Sequence, residues 1–343
     1  METIQKPPER SPRVSILLPV RNGVQTLPAC LRSIRRQHER DWECVVVDDG
    51  STDGTVAYAT ELAAEDARFR VVRTAHRGIV QALRIGLTHC RAPHVARMDA
   101  DDVMHRDRLA AQLVALDAHA AWSAVGCHVR LFPRRHLSPG RRAYERWLNS
   151  LRSETDVRRD AYVECPVAHP TLLIRRDVLA HIGYRETPWA EDYDLLLRLL
   201  GSGHRIGVVP RRLLAWRDRT DRLSRTDDRY GLAQFTACKA AFLATSFLAG
   251  SGHYALWGFG STGRALHRAL QTHGKHAAYI VEVHPRRLGN RIHGATVIAP
   301  AALASLPRIP VVVSVAGTRP RSLIRGAMSE MGFEETRDFV CAA

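Results

Sequence analysis

Lysine is nearly absent from this chain: Lys6, Lys239 and Lys275 are the only lysines among 50 basic residues, so the formal charge of +15 is carried by arginine. Long apolar runs are missing too. The longest candidate, residues 240–249, is interrupted by Thr245-Ser246 and is too short to span a bilayer. The N-terminus has Pro7-Pro8 between Lys6 and Arg10 instead of an apolar stretch, so it does not read as a secretory signal. Seven cysteines without a Cys-x-x-Cys pair argue against a disulfide framework and a zinc site, fit reduced thiols, and point to the cytoplasm. The basic balance brings a nucleic-acid-binding protein to mind, but no zinc-finger, helix-turn-helix or aromatic RNP pattern accompanies it.

What the chain does have is a clustered set of acids. Asp99, Asp101 and Asp102 fall within four consecutive positions after an apolar run. Carboxylates this close repel one another, and a divalent cation is the natural reason to hold them together; an oxygen-only set suits Mg²⁺ or Mn²⁺. The bland alternative is a solvated turn capping the helix that begins near Arg106. Upstream, residues 14–19 and 45–49 read as buried strands and 26–37 as an amphipathic helix between them, a strand-helix-strand unit whose strands end on one edge. Asp48 and Asp49 close the second strand, and 50–55 supplies a turn and helix start. A strand at 69–73 and a helix at 78–90 then lead to the acid cluster, a spacing that fits a nucleotide-binding α/β half-domain.

Val14 to Asn22, Val46 to Thr55 and Ala96 to Asp102, followed by His169-Pro170-Thr171 and Ala190 to Leu195, resemble the family 2 inverting glycosyltransferases of the GT-A fold over about the first two-thirds of the chain. The resemblance implies metal-dependent transfer of a sugar, of hexosyltransferase type, from a nucleotide-diphosphate donor to an acceptor hydroxyl, in cell-surface polysaccharide or glycoconjugate synthesis. It implies that Asp49 contacts the base, that Asp99 lies near the ribose and diphosphate, that Asp101 is the metal ligand with Asp99 beside it, and that Asp192 is the base, with Glu191 as the alternative. Asp48 and Asp102 are assigned to support, and Pro19 and His169 join the donor-binding set. Arg217, or Arg222 in the same arginine-rich loop, is a candidate clamp for the diphosphate. A non-catalytic sugar-nucleotide-binding protein is the competing reading.

The composition changes after a helical stretch at 230–248. A strand at 254–257 runs into Gly258-Phe259-Gly260-Ser261-Thr262-Gly263, then a helix at 265–272, then a strand ending at Glu282. This is the dinucleotide fingerprint in its proper context, with Gly258, Gly260, Gly263 and Glu282 as nucleotide candidates, although the same pattern also serves packing. The expected architecture is α/β: a tail at 1–12, a GT-A domain at 13–235, a helical linker at 236–252 and a small Rossmann-like domain at 253–343. The densest basic run, Arg134-Arg135-His136 with Arg141-Arg142, lies in a Pro/Gly-bearing segment at 132–146 read as an acceptor-side loop and as a contact for anionic membrane.

Overall fold

The computed structural model describes residues 11–219 and 222–343; the tail expected at 1–12 lies largely outside the described residues. Its strands, in chain order, are β1 (Val14–Val20), β2 (Trp42–Asp49), β3 (Phe69–Thr74), β4 (His94–Arg97), β5 (Val103–Met104), β6 (Trp122–Phe132), β7 (Leu173–Arg175) and β8 (Arg205–Arg217). These form one sheet in the order β3-β2-β1-β4-β7-β6-β8-β5. The β3-β2-β1-β4 half is wholly parallel, with the helices Leu27–Arg35, Thr55–Glu65 and Ile79–His89 as crossovers. Strands buried on both faces need continuous apolar runs, and β1 and β2 have them: Val14, Ile16, Leu17, Leu18, Val45, Val46 and Val47 are all buried.

Order reverses between β1 and β4, so the carboxyl ends of these two strands flank the crevice where open α/β sheets take ligands. The Asp99–Asp102 turn follows β4 directly at that crevice.

A second sheet holds β9 (His253–Trp257), β10 (His276–Val281), β11 (Arg291–Ile292), β12 (Ala295–Ile298), β13 (Val311–Val313) and β14 (Phe339–Cys341), in the order β11-β12-β10-β9-β13-β14. Apart from the short antiparallel β11, its strands are parallel and doubly wound about β9. The helix after β9 spans Ser261–Gln271 and so begins inside the glycine fingerprint, four residues before the expected start. Two compact units result, and they are discontinuous in sequence. Among the described residues, one comprises 11–152, 167–186 and 204–218; the other comprises 153–166, 187–203, 219 and 222–343. Among the described residues no helix is long and apolar enough to cross a membrane.

The segment read as an acceptor-side loop is instead mostly helical, Pro139–Leu148. Ser138 accepts a hydrogen bond from Arg141 N at 3.2 Å and Pro139 occupies the first turn, an N-terminal signal that the sequence displays openly.

Glu43 braces the parallel half from inside. Its buried carboxylate accepts hydrogen bonds from Ser15 Oγ (2.7 Å), Arg91 N (2.7 Å) and Arg70 Nη2 (3.2 Å). Burial alone would raise its pKa, but the Ser15 and Arg91 hydrogen bonds and the Arg91 charge outweigh it and leave the pKa below the ordinary value of 4.5. A depressed carboxyl stabilises the fold above its unfolded pKa and loses that contribution as pH falls through the folded value. Glu43→Gln should therefore lower urea stability at pH 7 and flatten its acid dependence below about pH 4.5.

In the second unit, a Cβ on Gly263 would sit 2.2 Å from the carbonyl oxygen of Gly258 and 2.7 Å from Ser314 Oγ. Backbone cannot yield cheaply at that distance. Gly263→Ala should cost about 1–3 kcal/mol of overpacking, read as a shift in the urea midpoint at unchanged slope.

Candidate functional site

The loops that leave β1 and β2 are joined to each other by side chains. Asn22 N donates to Ser51 Oγ (2.9 Å) while Asn22 Oδ1 accepts from Thr52 N (2.9 Å). Gly23 N donates to Thr55 Oγ1 (2.8 Å), and Asp53 accepts from Val24 N (3.2 Å) and Thr55 N (2.9 Å). Pro19 pairs with Val47 inside the sheet just below this junction. Asp48 accepts from Ser51 N at 3.2 Å and shapes the same turn.

Asp49, 5% exposed, accepts from Arg77 N (2.8 Å) and Gly78 N (3.0 Å), and its Oδ2 lies 2.8 Å from His76 Nδ1. The carboxylate thus fixes the 76–78 turn and brings the exposed His76 to the rim. Sequence reasoning missed His76: a histidine 27 residues from its acid carries no motif.

Past β4, one oxygen from each of Asp99, Asp101 and Asp102 can be chosen so that all three lie within 4.8 Å of one another. Arg97, 3% exposed, forms an ion pair with Asp99. Asp102 is fully buried and accepts from Arg217 N (2.7 Å); Arg217 Nε donates to the carbonyl of Asp101 (2.7 Å), and its guanidinium rests 4.5 Å over the Phe132 ring. The end of β8 is thereby tied to the acid turn. The nearby Cys30 thiol is pushed well up, first by burial, then by Cys44 and by the charges of Asp102, Asp101 and Asp99. With Asp102 anchoring β8, the partly exposed Asp99 and Asp101 are the pair best placed to hold a hard divalent cation, whose oxygen ligands sit about 2.0–2.6 Å away. The oxygen-only donor set fits Mn²⁺ or Mg²⁺.

His169 is buried, with Nε2 3.1 Å from the Tyr184 hydroxyl. Burial, reinforced by the charge of Arg97, holds its pKa well below the ordinary value, so the imidazole is neutral. The structure makes it a packed, hydrogen-bonded group inside the first unit.

In the second unit, the helix Glu191–Gly201 opens on three acids with separate fates. Glu191 is 2% exposed and accepts from the Tyr230 hydroxyl at 2.6 Å. Burial and the charges of Glu191 and Asp192 push the Tyr230 pKa upward, so it stays a protonated donor. Asp194 is buried between Trp189 Nε1 (3.2 Å) and Arg198 Nε (2.6 Å). Asp192 alone of the three is not buried, and its Oδ1 accepts from Tyr193 N (2.7 Å). The two catalytic candidates differ in setting: Glu191 is buried against the Tyr230 hydroxyl, whereas Asp192 is half-buried.

The glycine fingerprint of the second unit has a packing explanation at two of its three positions. Gly258 adopts φ +94° with Val315 against it, and Gly263 is the contact of helix with strand described above. Only Gly260 faces open space. Glu282 is paired with Arg287 Nη1 at 2.9 Å.

Residues 15–183 match the family model described as Glycosyl transferase family 2. The amylovoran biosynthesis glycosyltransferase AmsE of Erwinia amylovora is 28% identical over 203 residues, which cover 59% of this chain and 74% of that protein. Among solved structures, S. aureus TarS 1–349, known also in complex with UDP-GlcNAc, aligns at TM-score 0.55 and 17% identity, covering 76% of this chain and 71% of that one. The mannosyltransferase PcManGT of Pyrobaculum calidifontis, in complex with GDP-Man and Mn²⁺, aligns at TM-score 0.50 and 20% identity, covering 94% of this chain and 81% of that one. These likenesses agree with the GT-A architecture of the first sheet. Residues 15–183 are thus a glycosyl transferase family 2 domain.

Proposed function

We propose that this glycosyltransferase moves a hexose from a nucleotide-diphosphate donor to an acceptor hydroxyl in a single inverting displacement that depends on Mn²⁺ or Mg²⁺. The observation that carries the reading is the Asp99–Asp101–Asp102 cluster at the switch point of the parallel half-sheet. The donors bound by TarS and PcManGT, and the Mn²⁺ of the latter, support a nucleotide sugar and a divalent ion here. The role of AmsE in amylovoran biosynthesis supports a polysaccharide or related glycoconjugate as acceptor.

Asp99 and Asp101 would hold the cation, which supplies charge stabilisation to the departing diphosphate. Asp49, with His76 beside it, forms the edge proposed to receive the base, and Asp48 and Pro19 keep that edge in place. Arg217 adds a guanidinium next to the acid turn, suited to the diphosphate oxygens. Asp192 takes the proton from the acceptor hydroxyl; its partial exposure in the first turn of a helix, against the burial of Glu191, is what supports that choice. The nucleotide suggested by Gly258, Gly260, Gly263 and Glu282 is no part of this proposal, because packing requires two of the glycines and Arg287 occupies the acid.

Asp192→Asn should leave donor binding intact while lowering transfer by roughly 10²–10⁴-fold, the usual worth of a positioned base. Transfer at the parental rate would remove Asp192 from the mechanism. A thermal-shift screen of nucleotide sugars with and without Mn²⁺ identifies the donor. With that donor in hand, Asp101→Ala should abolish the Mn²⁺-dependent part of its affinity in calorimetry. Unchanged Mn²⁺-dependent affinity would count against the cation site.

A further inference from the structure

The first unit carries a second concave feature beside β5 and β8. A groove of about 610 Å³ lies between the helix Leu27–Arg35 and the strands β5 and β8. Its rim is built from Arg32, Arg36, Arg106, Arg130 and Arg212, all exposed. None of the five guanidiniums has an acidic partner among the described residues, whereas the nearby Arg35 and Arg211 are paired with Asp66 and Asp107. The floor is apolar, formed by Met104, Leu214 and Ala215. Five like charges around one opening repel each other, and an oxyanion-bearing ligand is what would relieve them.

A neighbouring groove of about 600 Å³ is almost wholly apolar. It exposes one face of the helix Arg108–Ala118, where Val114 is 67% exposed, beside Val208, Val209 and Pro210 of β8. The two grooves abut in sequence and space: Arg106 and Arg212 line the first, and their neighbours Asp107 and Arg211 line the second. The acid at this seam is already neutralised, since Asp107 holds Arg211 at 2.8 Å and His38 at 2.8 Å.

From this pairing of an unneutralised arginine rim with an adjoining apolar trough, we propose that this edge of the first unit docks on the phosphate headgroups of an anionic bilayer. Guanidiniums bind phosphate oxygens in a two-pronged manner, and the apolar floor and trough accept the adjoining hydrocarbon. A soluble polyanion would use the arginines and leave the trough without a partner. The surface is distinct from the run at 134–142 that the sequence alone picks out.

The test is co-sedimentation of the whole chain with vesicles of phosphatidylglycerol or of phosphatidylcholine at two salt concentrations. Binding should require phosphatidylglycerol and weaken as salt rises. The double variant Arg36→Gln, Arg212→Gln should weaken it about 25-fold, taking each basic residue near the surface as about fivefold. Val114→Asn should weaken it further while leaving the salt dependence unchanged. Both variants should keep the thermal shift with the donor nucleotide sugar, so a failure here is distinguishable from a failure of the transfer reaction. Equal binding to both vesicle types, parental binding by the double variant, or binding of soluble polyphosphate or RNA without vesicle binding would each overturn the proposal.

Discussion

Carboxylates accepting backbone N–H groups hold the ligand-facing rim of the first unit in shape. Asp48 takes Ser51, Asp49 takes Arg77 and Gly78, Asp53 takes Val24 and Thr55, and Asp102 takes Arg217. A hydrogen bond to a charged group is worth about 1.5–3 kcal/mol, and losing it strands a buried acceptor. Loops after parallel strands have no sheet partner of their own, so these acids supply the missing acceptors and fix where each loop goes. Asp99 and Asp101 are the more exposed acids of the turn after β4, with Asp99 paired to Arg97.

The parallel half-sheet was legible because strands buried on both faces must be continuously apolar, and β1, β2 and their crossover helices obey that rule. The rest of the sheet was not. β8 pairs with β6 across about eighty residues and with β5 across more than a hundred, and no local pattern encodes pairing at that range. Motifs located Glu191 and Asp192 but could not rank them on physical grounds. Neighbours on a helix point about 100° apart, and which one is buried depends on Tyr230, 39 residues away. The fingerprint glycines were found correctly as a pattern, yet the reason for two of them is the close approach of Val315, Ser314 and the Gly258 carbonyl.

Charge shows the same gap between string and surface. The densest basic run is largely consumed by the fold: Arg134 pairs with Glu145, Arg141 with Asp218 (3.2 Å), and Arg142 donates to the carbonyls of Arg134 (2.7 Å) and Leu137 (3.3 Å). The unpaired arginines come from four separate stretches of chain that only folding gathers. A high net charge thus says how much basic character there is, and the tertiary structure says where any of it is available.

The helix that carries Asp192 is anchored by residues far downstream. Tyr193 stacks on Phe235 at 4.4 Å and donates to the carbonyl of Ala161 (2.8 Å), while nearby Asp160, 2% exposed, is neutralised in part by Arg325 at 2.6 Å. Removing the segment that carries Arg325 would leave Asp160 with Arg159 (3.0 Å) in place of two guanidiniums and would take away the ring that Tyr193 stacks on. The last third of the polypeptide is in this sense a scaffold for the proposed proton acceptor, and swapping it for another module would require redesigning residues 153–166 along with it.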